Sequence, residues 1–147
     1  MGSLLNFERT LNVAIDCGNA CACLTVPTVL EKLGVKFTPL FSDVDNSFPN
    51  HHPDPTVDKN LNSISALIKD GDFDLGLAFD GDADRLVVLD ENGVIIRSDD
   101  LMILFLPEVI NERSKDIVFD VKCSRALEEM IIKYGGNPIM WNTGHSL

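Results

Sequence analysis

The sequence predicts an α/β fold: a three-layer α/β/α arrangement with a mixed, mainly parallel sheet, followed by a partial second α/β unit. Three observations carry this. Short apolar runs alternate with segments of helical periodicity, the pattern of strands joined by crossover helices. Glu91-Asn92-Gly93 is a hairpin signal that adds an antiparallel strand. The strand, turn, helix order then restarts near Ile117.

The elements follow in order. Leu11 to Asp16 reads as a short buried strand, and Cys17-Gly18-Asn19 as the turn after it. Val26, Val29, Leu30 and Leu33 recur at helical spacing, with Pro27 expected in the first turn and Gly34 as the stop. Val35 to Leu40 is a second strand. Asp43 to Thr56 is a polar connection containing Phe48-Pro49-Asn50-His51-His52-Pro53-Asp54-Pro55, whose three prolines predict an extended surface loop. Asp58 to Lys69 reads as a helix with Leu61, Ile64 and Ile68 inward, ended by Gly71. Leu75 to Phe79 is the third strand, Leu86 to Leu89 the fourth, and Val94 to Ile96 pairs back on it. Asp99 to Glu112 reads as a helix capped by Ser98 or Asp99 and kinked or cut short by Pro107. Ser114-Lys115-Asp116 reads as a linker. Strand Ile117 to Val121, helix Ser124 to Tyr134 with Leu127, Met130, Ile131 and Tyr134 inward, and strand Pro138 to Trp141 complete the chain. The implied division is an N-terminal extension over 1–10, a domain over 11–113 and an incomplete one over 114–147.

Composition sets bounds. The 147 residues are 45% hydrophobic, enough for a core, and carry a net charge of −11. Nucleic acid and anionic membrane surfaces require a positive field, so neither is expected as a partner. No apolar run is long enough to span a bilayer and no signal segment is evident. Cys17, Cys21, Cys23 and Cys123 make a weak zinc pattern and read as reduced, packed thiols, which suits a cytoplasmic protein.

The chemistry concentrates in Asp80-Gly81-Asp82-Ala83-Asp84-Arg85, directly after the apolar run Leu75 to Phe79. Three carboxylates at alternate positions repel one another unless a cation joins them. Oxygen donors suit a hard divalent ion, and the arginine beside them offers a planar fork for phosphate. An EF-hand places Asp80, Asp82, Asp84 and Glu91 at its ligand positions, but Arg85 then stands where glycine is required and strands flank the loop. An aspartyl-phosphate phosphatase would use Asp80 as nucleophile and Asp82 as acid. A non-catalytic metal-binding or interaction domain is the third alternative. The pair His51-His52 is expected to be exposed or to make local hydrogen bonds.

Five separated motifs carry a resemblance: Asp16-Cys17-Gly18-Asn19, Phe48 to Pro55, Asp80 to Arg85, Phe119-Asp120-Val121-Lys122-Cys123-Ser124-Arg125 and Trp141-Asn142-Thr143-Gly144-His145-Ser146-Leu147. In their order and spacing the chain resembles the α-D-phosphohexomutases, most closely the bacterial phosphomannomutase/phosphoglucomutase branch. The resemblance implies a four-domain enzyme that interconverts hexose 6-phosphate and hexose 1-phosphate, of mannose or glucose, through a phosphoserine and a 1,6-bisphosphate. It implies Mg2+ as cofactor, held by Asp80, Asp82 and Asp84. Arg85 would contact phosphate or substrate. Lys122 would transfer a proton or stabilise charge, and His145 would bind substrate. The expected partners are a phosphorylated hexose and the remaining domains of the parent mutase. The serine loop, the sugar-recognition loop and the phosphate-binding loop of the last domain are absent from these residues, so the chain is read as the second domain plus the start of the third, inactive alone. Three positions depart from the family pattern. Ala20-Cys21-Ala22-Cys23 replaces a glycine-rich turn, Asn142 stands where many relatives carry lysine, and Ala83 replaces a commoner glycine. The last is expected to be mild provided the residue avoids positive φ.

Overall fold

The computed structural model describes residues 8–144. It divides into two compact units, Met1–Ile96 and Arg97–Leu147.

In the first unit, strands β1 (Asn12–Asp16), β2 (Lys36–Leu40), β3 (Leu75–Phe79), β4 (Leu86–Leu89) and β5 (Ile95–Ile96) form one sheet in the order β2-β1-β3-β4-β5. β1 runs parallel to β2 and β3, whereas β4 pairs antiparallel with β3 and β5. The sheet is mixed as expected, with its hairpin turning at Gly93 (φ 71°).

Alternation along the strands builds the layers. Val13, Ile15, Leu75, Leu77 and Phe79 face helix α1 (Ala22–Leu33) on one side. Ala14 and Ala78 face helix α2 (Asn62–Asp70) on the other, where Leu61, Ile64 and Ile68 are buried. Gly76 lies under α2, and a Cβ there would come within 2.5 Å of the Ile68 Cδ1 atom. The strand thus uses a glycine to let the helix approach.

Three local expectations change. α1 begins at Ala22, so Pro27 sits in its second turn, where it cannot donate to the Cys23 carbonyl. The buried face is Ala22, Cys23, Val26, Leu30 and Leu33, and Val29 is turned to solvent at 52% exposure. Gly34 does close the helix in a left-handed conformation (φ 72°), with its N–H donating to Glu31 and the Val35 N–H to Leu30. The segment read as one helix from Asp58 starts as a 3-10 turn, Asp58–Leu61, before α2. The proline-rich connection is not merely surface: Pro53 and Pro55 are buried and His51 is largely so.

The second unit holds α3 (Ser98–Val109), β6 (Asp116–Asp120), α4 (Arg125–Lys133) and β7 (Asn137–Trp141), with β6 and β7 parallel. Here the expected boundary at residues 113/114 fails. Leu106 of α3 is buried with Ile117, Phe119, Leu127 and Ile131, so the apolar stripe of α3 belongs to this core. Ser114-Lys115-Asp116 is no linker either: Ser114 bridges to Asn111, the Lys115 carbonyl accepts from Asn137 N–H at 2.7 Å, and Asp116 opens β6. The N-cap of α3 is Arg97, not Ser98 or Asp99. The Asp99 carboxylate instead accepts from Ser124 N–H at 2.8 Å, tying the starts of α3 and α4 together. α3 stops at Val109, short of Glu112, shortly after Pro107. Ser124 caps α4 by accepting from Ala126 N–H at 3.1 Å. Tyr134, at the end of that helix, is 43% exposed rather than inward. Among the described residues no helix is long and apolar enough to cross a membrane.

Asp74, just before β3, fastens the edge of the first unit. Its carboxylate accepts from Arg9 Nη1 at 2.8 Å and from Asn12 N–H at 2.7 Å. The hydrogen bond from Arg9, then that from Asn12, hold its pKa at about 2. An unfolded aspartate titrates near ~3.9. The depressed group stabilises the fold above that value, and the contribution is lost as pH falls toward about 2. Urea denaturation of wild type and Asp74→Asn from pH 5 to pH 2 should therefore show the stability difference shrinking across that window. A constant difference would rule the linkage out.

Candidate metal centre

The acidic loop joins the carboxyl end of β3 to β4. Asp80 is fully buried at the strand's tip. Its backbone N–H donates to the Arg85 carbonyl at 3.3 Å and its carbonyl accepts from Ala83 N–H at 3.1 Å, which closes the loop on itself. Its carboxylate accepts from Arg85 N–H at 3.1 Å and from Arg85 Nε at 2.6 Å. Burial pushes the Asp80 carboxyl up, but the hydrogen bonds and charge of Arg85 outweigh it and leave the group below the ordinary carboxylate range.

Asp82 and Asp84 project from the exposed part of the loop. One carboxylate oxygen from each of Asp80, Asp82 and Asp84 lies within 4.8 Å of the other two. The neighbouring Asp82 charge is the first cause that raises Asp84, so the cluster is electrostatically unfavourable on its own. Arg85 Nε also reaches Asp84 at 3.6 Å, and the arginine side chain remains 62% exposed. The donor set fits a hard cation: oxygens only, converging and mutually repelling. Hard divalent cations such as Mg2+ take oxygen donors of this kind.

Strands flank the loop on both sides, so the EF-hand alternative fails on geometry as well as on Arg85. The aspartyl-phosphate alternative is also disfavoured, because the Asp80 carboxylate is fully buried and offers no open face for in-line approach of a phosphoryl group. Among the described residues no cysteines join a metal-like cluster. Cys17 is buried, its thiol pushed up to about 12 chiefly by desolvation.

Sequence reasoning missed the neighbour of this loop. Asp16 ends β1 beside β3, is buried, and accepts from Gly18 N–H at 2.9 Å and His51 Nε2 at 3.0 Å. An aspartate directly after the apolar run Val13-Ala14-Ile15 was the available signal. Asn19 takes the left-handed region (φ 56°), where its side chain donates to the Asp43 carbonyl and accepts from Asn50, both at 2.8 Å. Ala83 does adopt positive φ (61°), so its substitution is not the mild one expected.

Lys122 lies on the second unit, in the turn after β6, where its N–H donates to the Asp120 carboxylate at 2.7 Å. His145 lies outside the described residues.

Residues 5–93 match the family described as phosphoglucomutase/phosphomannomutase, alpha/beta/alpha domain II, and residues 97–147 match its domain III. The chain belongs to this family. The join between the two matches coincides with the division of the structure at Ile96 and Arg97. The chain is 48% identical over 140 residues to a phosphomannomutase/phosphoglucomutase of Pseudomonas aeruginosa, covering 95% of this chain and 30% of that protein. It is 46% identical over 143 residues to a phosphoglucomutase of Neisseria meningitidis, covering 97% of this chain and 31% of that one. A crystal structure of a phosphoglucomutase/phosphomannomutase family protein from Burkholderia thailandensis superposes with a TM-score of 0.92 at 42% identity, covering 97% of this chain and 31% of the other. The chain thus spans about 30% of the length of its mutase relatives.

Ala83 yields a test within this loop. A left-handed alanine costs about 1–2 kcal/mol, partly offset by the roughly 0.4–1 kcal/mol of unfolded-state entropy that glycine adds. Ala83→Gly should raise the urea midpoint modestly, by about 0.5 kcal/mol of stability. A lower midpoint would show that the packing of the methyl group outweighs the strain.

Proposed function

We propose that this chain supplies the metal loop of a phosphohexomutase that interconverts hexose 6-phosphate and hexose 1-phosphate, with mannose or glucose as the sugar. The observation that carries the reading is the convergence of Asp80, Asp82 and Asp84 at the tip of β3 in a chain of this family. Asp80, Asp82 and Asp84 would hold Mg2+, which would draw charge from phosphoryl oxygens when bound. Phosphoryl transfer depends on positioning and charge neutralisation, and the chain's own residues divide that work. Asp80 fixes Arg85 by a charge-assisted bond at its Nε, leaving an exposed cation beside the carboxylates to meet a phosphate. Lys122, in a turn whose backbone Asp120 holds, is the candidate for proton transfer or charge stabilisation, and His145 for substrate contact. The phosphoserine and the remaining cationic contacts would come from other domains of the parent mutase, which accounts for a charge of −11 in a protein that handles phosphate esters. Four free thiols accord with a cytoplasmic setting.

Two measurements test this. Titrating Mg2+ into the chain while following amide resonances should shift those of residues 80–85 first, and Asp82→Asn should weaken binding at least about tenfold. Equal affinity in the variant would place the ion elsewhere. In a coupled assay the 147-residue chain should show no mutase turnover by itself. Turnover would mean that a nucleophile within these residues had been overlooked.

A further inference from the structure

The Asp16–His51 pair has no part in the reading above, and its geometry is unusual. His51 presents Nε2 to the Asp16 carboxylate at 3.0 and 3.2 Å and Nδ1 to the His52 carbonyl at 2.9 Å. Both ring nitrogens therefore face acceptors. A neutral imidazole donates to only one of the two. Asp16 is 1% exposed and the His51 side chain 14%, so the link is formed away from bulk water.

The pair anchors the proline-rich connection to the end of β1, and other contacts reinforce it. Asn50 Nδ2 donates to Asn19 at 2.8 Å, while Asn60 Nδ2 donates to the carbonyls of His52 at 3.0 Å and Asp54 at 2.8 Å. The ring of Phe41 stands edge-on to His51 with centroids 5.2 Å apart. The anchored segment reaches the acidic loop through Pro53. A Cβ on Gly18 would meet Pro53 Cβ at 2.9 Å, and one on Gly81 would meet Pro53 Cγ at 3.6 Å. Pro53 thus lies against the turn that follows β1 and close to Gly81 in the loop that follows β3. The Gly81 carbonyl also accepts from Cys21 N–H at 3.2 Å, a second tie from the β1 turn to the acidic loop. Strain accumulates along this edge: the non-glycine residues at positive φ among those described are Asn19, Phe41, Phe48 and Ala83, all in loops beyond the carboxyl ends of β1, β2 and β3. Such conformations persist only where surrounding contacts fix them.

We propose that Asp16 and His51 are positioning residues for the metal loop, acting through Pro53 and Gly81 to hold the backbone of Asp80–Arg85 in its ligating shape. Their role rests on the metal reading for its purpose, yet the loop's order can be measured without metal.

The experiment uses the full chain with His51→Ala, His51→Gln, Asp16→Asn and the double variant Asp16→Asn/His51→Ala, plus Pro53→Ala in case loss of the pair prevents folding. The metal-free readout is hydrogen exchange at the amides of Cys21, Ala83 and Arg85, with the amides of α2 as internal control. Exchange of the three should quicken at least about tenfold in His51→Ala while α2 is unchanged, since loop opening is local. The second readout is Mg2+ affinity, expected to fall about 10–100-fold, the range for residues that orient metal ligands. His51→Gln, which keeps a donor toward Asp16, should recover part of both effects, and the double variant should be no worse than either single one. Folded variants with wild-type exchange at those three amides would overturn the proposal, whatever their stability. If wild type binds no Mg2+, the metal reading falls, and the exchange result alone decides for or against the positioning role.

Discussion

Two buried carboxyl groups shape the loop edge of the first unit. Asp16 and Asp80 close the adjacent parallel strands β1 and β3, and neither is more than 1% exposed. Removing an ion from water costs several kcal/mol even after relaxation, so each must be compensated by charge and hydrogen bonds. Each is: Asp80 by its own loop, and Asp16 by the turn that follows it and by a histidine from a distant loop. Asp80 takes the backbone and guanidinium of Arg85, and Asp16 takes the Gly18 amide and the His51 ring. These compensating contacts fix the path of the loops. The exposed Asp82 and Asp84 then follow from the path that Asp80 imposes.

The rest of the first unit serves that edge. A parallel β1–β3 pair sandwiched between α1 and α2 leaves both strand ends pointing the same way, and the crossover loops gather there. The antiparallel β4 makes the acidic segment a tight return instead of a crossover, so six residues suffice to pass from Asp80 to the next strand at Leu86. The same device recurs in the second unit in simpler form. Asp120 ends β6 and accepts from the N–H of Lys122, as Asp16 accepts from Gly18, so a strand-end carboxylate shapes the turn that presents the lysine.

Relatives named phosphomannomutase/phosphoglucomutase share nearly half the residues over most of this chain, and the family's domain II and domain III matches divide where the structure does. The acidic loop lies on one compact unit and the Lys122 turn on the other, which accords with the roles proposed for both in a mutase whose site draws on several domains. Within such an enzyme, a rigid acidic loop has clear value. Electrostatic stabilisation works when the charges are placed before the reaction, and the positioning role proposed for Asp16 and His51 would serve that end.

The sequence by itself determined the strands, their alternation with helices and the acidic loop, because those depend on local patterns: period-2 and period-3.6 apolar spacing, Gly34 and Gly93 at left-handed positions, and three aspartates in one short segment. It also carried the family, through motifs that survive as short strings. Only the tertiary structure decided that α3 packs with the second unit, because an amphipathic helix shows that it has an apolar face but not which core receives it. Likewise Val29 has the spacing of a buried residue but the exposure of a surface one, since the sheet covers only one stripe of α1. His51 is the clearest case. Its role depends on Asp16, distant in sequence and brought within hydrogen-bonding distance by the sheet, and no local pattern encodes a contact between residues that meet only after the chain has folded.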